Sequence, residues 1–127
     1  MTIALWCVLI AGLLPYAGTL AAKWGFKQYD NNNPRAWLAS QTGFRARGNA
    51  AQANSFETFP LFAAAVIIAT VVKAPQALLD GLALGFVVSR MGYLYCYLSD
   101  KASLRSLFWL GGQICSVAIF VIATTKT

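Results

Sequence analysis

Arg47, Gln52, Asn54 and Glu57 in one stretch, Arg90, Tyr93 and Tyr97 in a second, and Arg105 in a third are the residues whose types and spacing could do chemistry. At about 100° per residue, Arg47, Asn54 and Glu57 fall within about 80° of one another on a helix. Arg90, Tyr93 and Tyr97 share a second helical face by i, i+3, i+7 spacing. Three arginines with one carboxylate leave an uncompensated positive field, which calls for an anion. Arginine grips carboxylates bidentately, and tyrosine hydroxyls with Asn54 or Gln52 can orient polar peptide groups. An arginine beside a thiol also stabilises the thiolate and lowers its pKa, so such a site could activate a thiol substrate. An apolar second substrate could reach it from a bilayer.

Two plainer roles stand beside this one. Asn54 and Glu57 could be interhelical hydrogen-bonding groups with no ligand, and Arg90 could snorkel towards lipid headgroups. Tyr93 and Tyr97 weigh against snorkelling, because two hydroxyls on the face of Arg90 imply polar contents. Glu57 is expected to pair with an arginine, Arg90, since an unpaired carboxylate inside a membrane span is costly.

The elements that must position these residues are apolar. The chain has 127 residues, of which 58% are hydrophobic and 11% charged, with a net charge of +6; its mean hydropathy is +0.59. A soluble domain carries ~25% charged residues. These values describe an integral membrane protein of one domain. Ile3 to Ala22 is an uncharged run that suffices for one span, and the first span is read as about residues 3–26. Pro15, Gly12 and Gly18 imply a kink and close packing within it. The second span is read as 47–73; it contains Pro60 and ends before Pro75. The third is read as 76–99, with Asp80 in its first turns, and the fourth as 104–124, opened by Arg105. A four-helix all-α bundle follows.

The connector from Lys23 to Asn49 interleaves Lys23, Lys27, Arg35, Arg45 and Arg47 with Trp24, Phe26, Tyr29, Trp37 and Phe44, as at a membrane–water boundary. The third connector carries Lys101 and Arg105, the second only Lys73, and the C-terminus Lys126. The bias towards connectors one and three predicts that they face the cytoplasm and that both termini lie on the outer, periplasmic side. All the unusual polar residues then gather at one depth, in the cytoplasmic half.

Several functions are excluded. There is no histidine, which removes the commonest general base and transition-metal ligand. Cys7, Cys96 and Cys115 stand in apolar surroundings without CxxC spacing and read as buried free thiols, so no metal site is expected. The basic residues flank apolar runs and do not form a nucleic-acid patch.

The stretch from Arg47 to Phe62, with Asn54, Glu57 and Phe59-Pro60-Leu61-Phe62, resembles the membrane-associated proteins in eicosanoid and glutathione metabolism, the MAPEG family. Arg90, Tyr93 and Tyr97 match that family in spacing, and Leu104-Arg105 lies where its catalytic arginine begins helix four. The resemblance implies a MAPEG-like four-helix subunit that assembles as a homotrimer, with glutathione bound as cosubstrate between neighbouring subunits. Arg47, Gln52, Asn54, Glu57, Arg90, Tyr93 and Tyr97 would hold the tripeptide, and Arg105 would stabilise its thiolate. The implied activity is a glutathione transferase or peroxidase acting on lipophilic electrophiles. Eicosanoid-forming members carry an arginine where this chain has Ala50, and some carry a tyrosine where it has Thr58. These departures argue against eicosanoid synthesis. Asn33-Pro34-Arg35 is similar to a bacterial-type branch of the family, which implies a bacterial inner membrane. A non-catalytic ligand-binding or accessory subunit of a larger membrane complex is the alternative.

Overall fold

The computed structural model describes residues 1–25 and 29–125. Phe26 at the expected end of the first span, and Lys27 and Lys126 in the charge count, lie outside the described residues. Among the described residues the chain forms α1 (Ile3–Leu13), α2 (Pro15–Ala22), α3 (Pro34–Ala39), α4 (Gly43–Val71), α5 (Gln76–Leu98) and α6 (Ala102–Thr124), with no strand. Among the described residues, four stretches are long and apolar enough to cross a membrane: 3–22, α4, α5 and α6. The first is divided at Leu14, because Pro15 lacks an amide hydrogen and its ring crowds the carbonyl four residues back. Helix α4 starts at Gly43, earlier than the expected 47, and passes through Pro60 unbroken. Helix α6 starts at Ala102 rather than 104.

Packing follows a seven-residue repeat. On α4 the buried stripe is Gly48, Ala51, Ser55, Thr58, Phe62, Ala65 and Ala69, spaced alternately three and four apart. On α5 it is Leu79, Ala83, Phe86, Arg90 and Tyr93, and on α6 Gly112, Ser116, Ile119 and Ala123. This spacing keeps one narrow seam turned towards a neighbouring helix. At the centre Phe62 stacks on Phe86, with centroids 3.9 Å apart and planes 4° apart. Most other core residues are small, so the backbones approach closely, as in helix packing within lipid. A Cβ on Gly48 would lie 2.7 Å from the Ala22 nitrogen, and one on Gly18 would lie 2.9 Å from the Gly48 carbonyl. The outer surface carries Trp6, Leu9, Leu13, Ile67, Val71, Val88, Leu107, Ile114 and Val121 exposed, the apolar exterior a bilayer requires.

Side chains tie the helix ends together. The Asp80 carboxylate of α5 accepts the Ala4 amide at 2.9 Å and the Gln76 side-chain amide at 2.7 Å. It therefore places negative charge at the positive N-terminus of α1. At the opposite end Arg47 donates to the Leu98 carbonyl at 3.3 and 3.4 Å, joining α4 to the C-terminus of α5. Arg45 donates to the Trp24 carbonyl at 2.7 and 3.1 Å, and its guanidinium lies 5.9 Å from the Trp37 ring centroid. The first and third connectors thus share one end of the bundle, and the N-terminus shares the other with the start of α5.

Candidate functional site

The polar end of the α5 seam builds the site. Arg90 takes the place of an apolar seam residue one turn beyond Phe86, and only 4% of its surface is exposed. Its Nη2 donates to Asn54 Oδ1 at 2.8 Å and to Ser55 Oγ at 3.2 Å. Its guanidinium carbon lies 4.0 Å from the centroid of the Tyr93 ring. Tyr93 meets Tyr97 edge to face, with centroids 5.6 Å apart and planes 77° apart. The Arg105 guanidinium then covers Tyr97 at 4.4 Å. The order from the core outward is guanidinium, ring, ring, guanidinium. A cation over an aromatic face gains about 0.5–2 kcal/mol, more where water is excluded. The i, i+3, i+7 spacing puts Arg90, Tyr93 and Tyr97 on one face; the close pairing of α5 with α6 brings Arg105 to them.

A cleft of about 220 Å³ opens beside this stack, lined by Tyr93, Tyr97, Arg105, Ser106 and Trp109. None of those residues is acidic. Arg105 lies just inside α6: its amide donates to the Lys101 carbonyl at 2.9 Å, so the amides of Ala102, Ser103 and Leu104 precede it in the opening turn. These add positive potential on the side of the guanidinium. The cleft suits a polar anionic group next to an apolar one, with Trp109 as the apolar wall.

The other expected residues have different placements. Glu57 is exposed on the chain, and among the described residues it forms no ion pair. The expected Glu57–Arg90 pair is therefore corrected: Arg90 is held by Asn54 and Ser55. The helical phase gives the reason. The α4 seam runs through Ala51, Ser55 and Thr58, which leaves Asn54 on its flank and turns Glu57 roughly 140° away. Arg47 binds the Leu98 carbonyl and Gln52 is hydrogen-bonded to the Thr19 hydroxyl, so both make contacts within their own chain. Thr58 is buried in the seam and does not line the cleft.

Ser55, Ser106 and Trp109 did not stand out in the sequence. Ser55 could have been found from the alternating run of small residues at 48, 51, 55 and 58, and Trp109 from its i+4 relation to Arg105. Among the described residues no group of three histidines, cysteines or acids could hold a metal ion.

A family model described as the MAPEG family matches residues 3–125. No curated protein matches the chain. With four apolar helices of spanning length and a family match over nearly its whole length, this chain belongs to the MAPEG family and is an integral, multi-pass membrane protein.

Proposed function

We propose that the chain is a glutathione-dependent transferase or peroxidase acting on lipophilic electrophiles, with Arg105 stabilising the thiolate. The observation that carries this reading is the Arg105 guanidinium over Tyr97 in a cleft whose lining holds no acid. A thiol attacks as its thiolate, and an adjacent fixed cation favours that form. In transfer, the sulfur forms a bond to the electrophilic carbon as the leaving group departs with its electron pair. In peroxide reduction, two thiols are oxidised to a disulfide while the peroxide becomes an alcohol and water. The guanidinium remains protonated throughout, so it acts by electrostatics and not as a proton donor.

The flank of α4 supports assembly as a homotrimer. A lipid-facing carboxylate in mid-span costs roughly 2.5–3.5 kcal/mol, and a neighbouring copy laid against Glu57 and Asn54 would remove that cost. Glutathione would then lie between copies, its peptide groups held by Asn54, Glu57, Arg90, Tyr93 and Tyr97, and the electrophile would enter from the lipid. With connectors one and three in the cytoplasm and both termini periplasmic, the cleft would draw thiol from the cytoplasm of a bacterial cell. Gln52 and Arg47, engaged within the chain, would support the site indirectly.

The alternative is a non-catalytic, ligand-binding or accessory membrane subunit. It is favoured by the seam position of Thr58, which keeps that residue away from the cleft. Ultraviolet absorbance of bound thiolate separates the two. With glutathione demonstrably bound at neutral pH, a thiolate band that disappears in Arg105→Ala is expected. Bound glutathione with no thiolate band, and no thiol consumption with an aromatic electrophile, leaves the non-catalytic reading.

A further inference from the structure

Next to Arg90, among residues none of which lines the cleft, lies a second, much smaller and partly open space. It is lined by Ala11 and Leu14 of the first span, Ser55, Thr58 and Phe59 of α4, and Phe86 and Arg90 of α5. Its volume is about 10 Å³, counted over positions open to the centre of a water-sized sphere. That is about the least space that holds a single water, ~10–15 Å³ on the same measure. Arg90 Nη2 is engaged by Asn54 and Ser55, but its other terminal nitrogen, Nη1, is buried and has no hydrogen-bond partner among the described residues. A buried N–H of a cation left unpaired is among the costlier defects a fold can carry, and such groups usually find an ordered water.

The hydroxyls in the lining are suited to complete that site. Thr58 Oγ1 donates only a long bond, 3.4 Å, to the Ser55 carbonyl, so it retains acceptor capacity. Ser55 Oγ accepts from Arg90 and keeps its own proton to donate. A water here would accept from Arg90 Nη1 and exchange hydrogen bonds with both hydroxyls, giving the three partners usual for a buried water. A halide would balance the charge of Arg90 but is larger than water and cannot donate to Thr58. The remaining lining side chains, Ala11, Leu14, Phe59 and Phe86, are apolar, so Arg90, Ser55 and Thr58 are the water's side-chain partners.

We infer that the cavity between α1, α4 and α5 is a binding site for one structural water, held by Arg90 Nη1, Ser55 and Thr58. The water completes the hydrogen bonding of Arg90 and fixes the guanidinium over Tyr93. Thr58 is then a positioning residue. The inference shares Arg90 with the proposed glutathione site, but Ser55 and Thr58 lie outside the lining of the cleft, so the density at Thr58 reads out whether or not the thiol binds.

A structure of the full chain in lipid or detergent, at a resolution that shows ordered water, tests this directly. A density peak within hydrogen-bonding distance of Arg90 Nη1 and Thr58 Oγ1 is expected, with no anomalous signal there after soaking in bromide. Thr58→Ser should retain the peak; Thr58→Val, equal in shape but without the hydroxyl, should lose it and lower the melting temperature by about 4 °C. A cavity without density in the unmutated protein overturns the proposal, as does a bromide peak, which would make it an anion site. Equal stability of Thr58→Val and the unmutated protein also overturns it. Should Thr58→Val fail to fold, the unmutated and Thr58→Ser maps still decide.

Discussion

Arg90 Nη2 donates to Asn54 Oδ1 at 2.8 Å, so the buried cation of α5 is held by a neutral amide and not by the carboxylate three residues further along α4. This leaves the charge of Arg90 unneutralised inside the chain and its aromatic neighbour, Tyr93, as the principal electrostatic support. The result is a site with surplus positive charge.

Breaking the bond from either side should be costly, and breaking it from both sides should not add. Asn54→Leu is expected to lower stability in detergent by ~1.5–3 kcal/mol, the range for a hydrogen bond to a charged group. Arg90→Met combined with Asn54→Leu should cost clearly less than the two single changes summed, because in the double variant neither member of this pair is left facing a missing partner. Additive losses in denaturant melts would mean that the two side chains do not interact.

Glu57→Gln should leave helicity and the fold of the single chain almost unchanged, since Glu57 is exposed on it. Self-association in detergent, followed by sedimentation, is expected to weaken by tenfold or more if a neighbouring copy engages the carboxylate, corresponding to about 1.4 kcal/mol. Unchanged association would place Glu57 outside the subunit interface.

Tyr97→Leu removes the ring beneath Arg105 while leaving the charge. Loss of a partly desolvated cation–π contact predicts a fall in turnover of roughly 3- to 30-fold, the rate equivalent of about 0.7–2 kcal/mol. Arg105→Ala should fall further, ~100–1,000-fold, as expected when a charge stabiliser of the reacting atom is lost. Glutathione affinity, measured by calorimetry, should change far less in Arg105→Ala, whereas Tyr97→Leu, which also loses a hydroxyl assigned to the peptide, should weaken it. A Tyr97→Leu variant slower than Arg105→Ala would reverse these roles.

Two helix ends carry stored backbone strain. Lys73 and Asp100 have positive φ, 58° and 61°, at the ends of α4 and α5. The amides that follow them close back onto the Ala69 and Cys96 carbonyls at 2.9 and 2.8 Å. Glycine is the usual residue in this left-handed capping position. Lys73→Gly and Asp100→Gly should each raise stability by about 0.5–1 kcal/mol, read as a higher melting temperature in detergent. A lower melting temperature for both would mean that the side chains contribute more than the strain costs.

The end-to-end contacts of Arg47 with Leu98 and of Asp80 with Ala4 fix which connectors share an end of the bundle. In a background with Cys7, Cys96 and Cys115 replaced, Asn32→Cys and Lys101→Cys should react with an impermeant thiol reagent from one side of a sealed membrane. Lys73→Cys should react only from the other. Labelling of Asn32→Cys and Lys73→Cys from the same side would overturn the four-span topology.

The number of spans and the polar face of α5 were legible in the chain itself, because both depend on local quantities. A run of apolar residues either reaches across a bilayer or does not, and residues three and seven apart share a helix face wherever the helix is placed. Arg90, Tyr93 and Tyr97 are stacked for that reason. Local phase, however, does not say which neighbour a face meets. The sequence grouped Asn54 with Glu57, but the heptad seam through Ala51, Ser55 and Thr58 separates them: it turns Asn54 to Arg90 and leaves Glu57 outside. Gln52 was in the same position, and the close approach of Gly18 to Gly48 delivered it to Thr19. Arg105 could be placed at the start of a helix from its own neighbours. That it lies over Tyr97 was decided only by the pairing of α5 with α6, where Gly92 leaves room for the ring of Phe108.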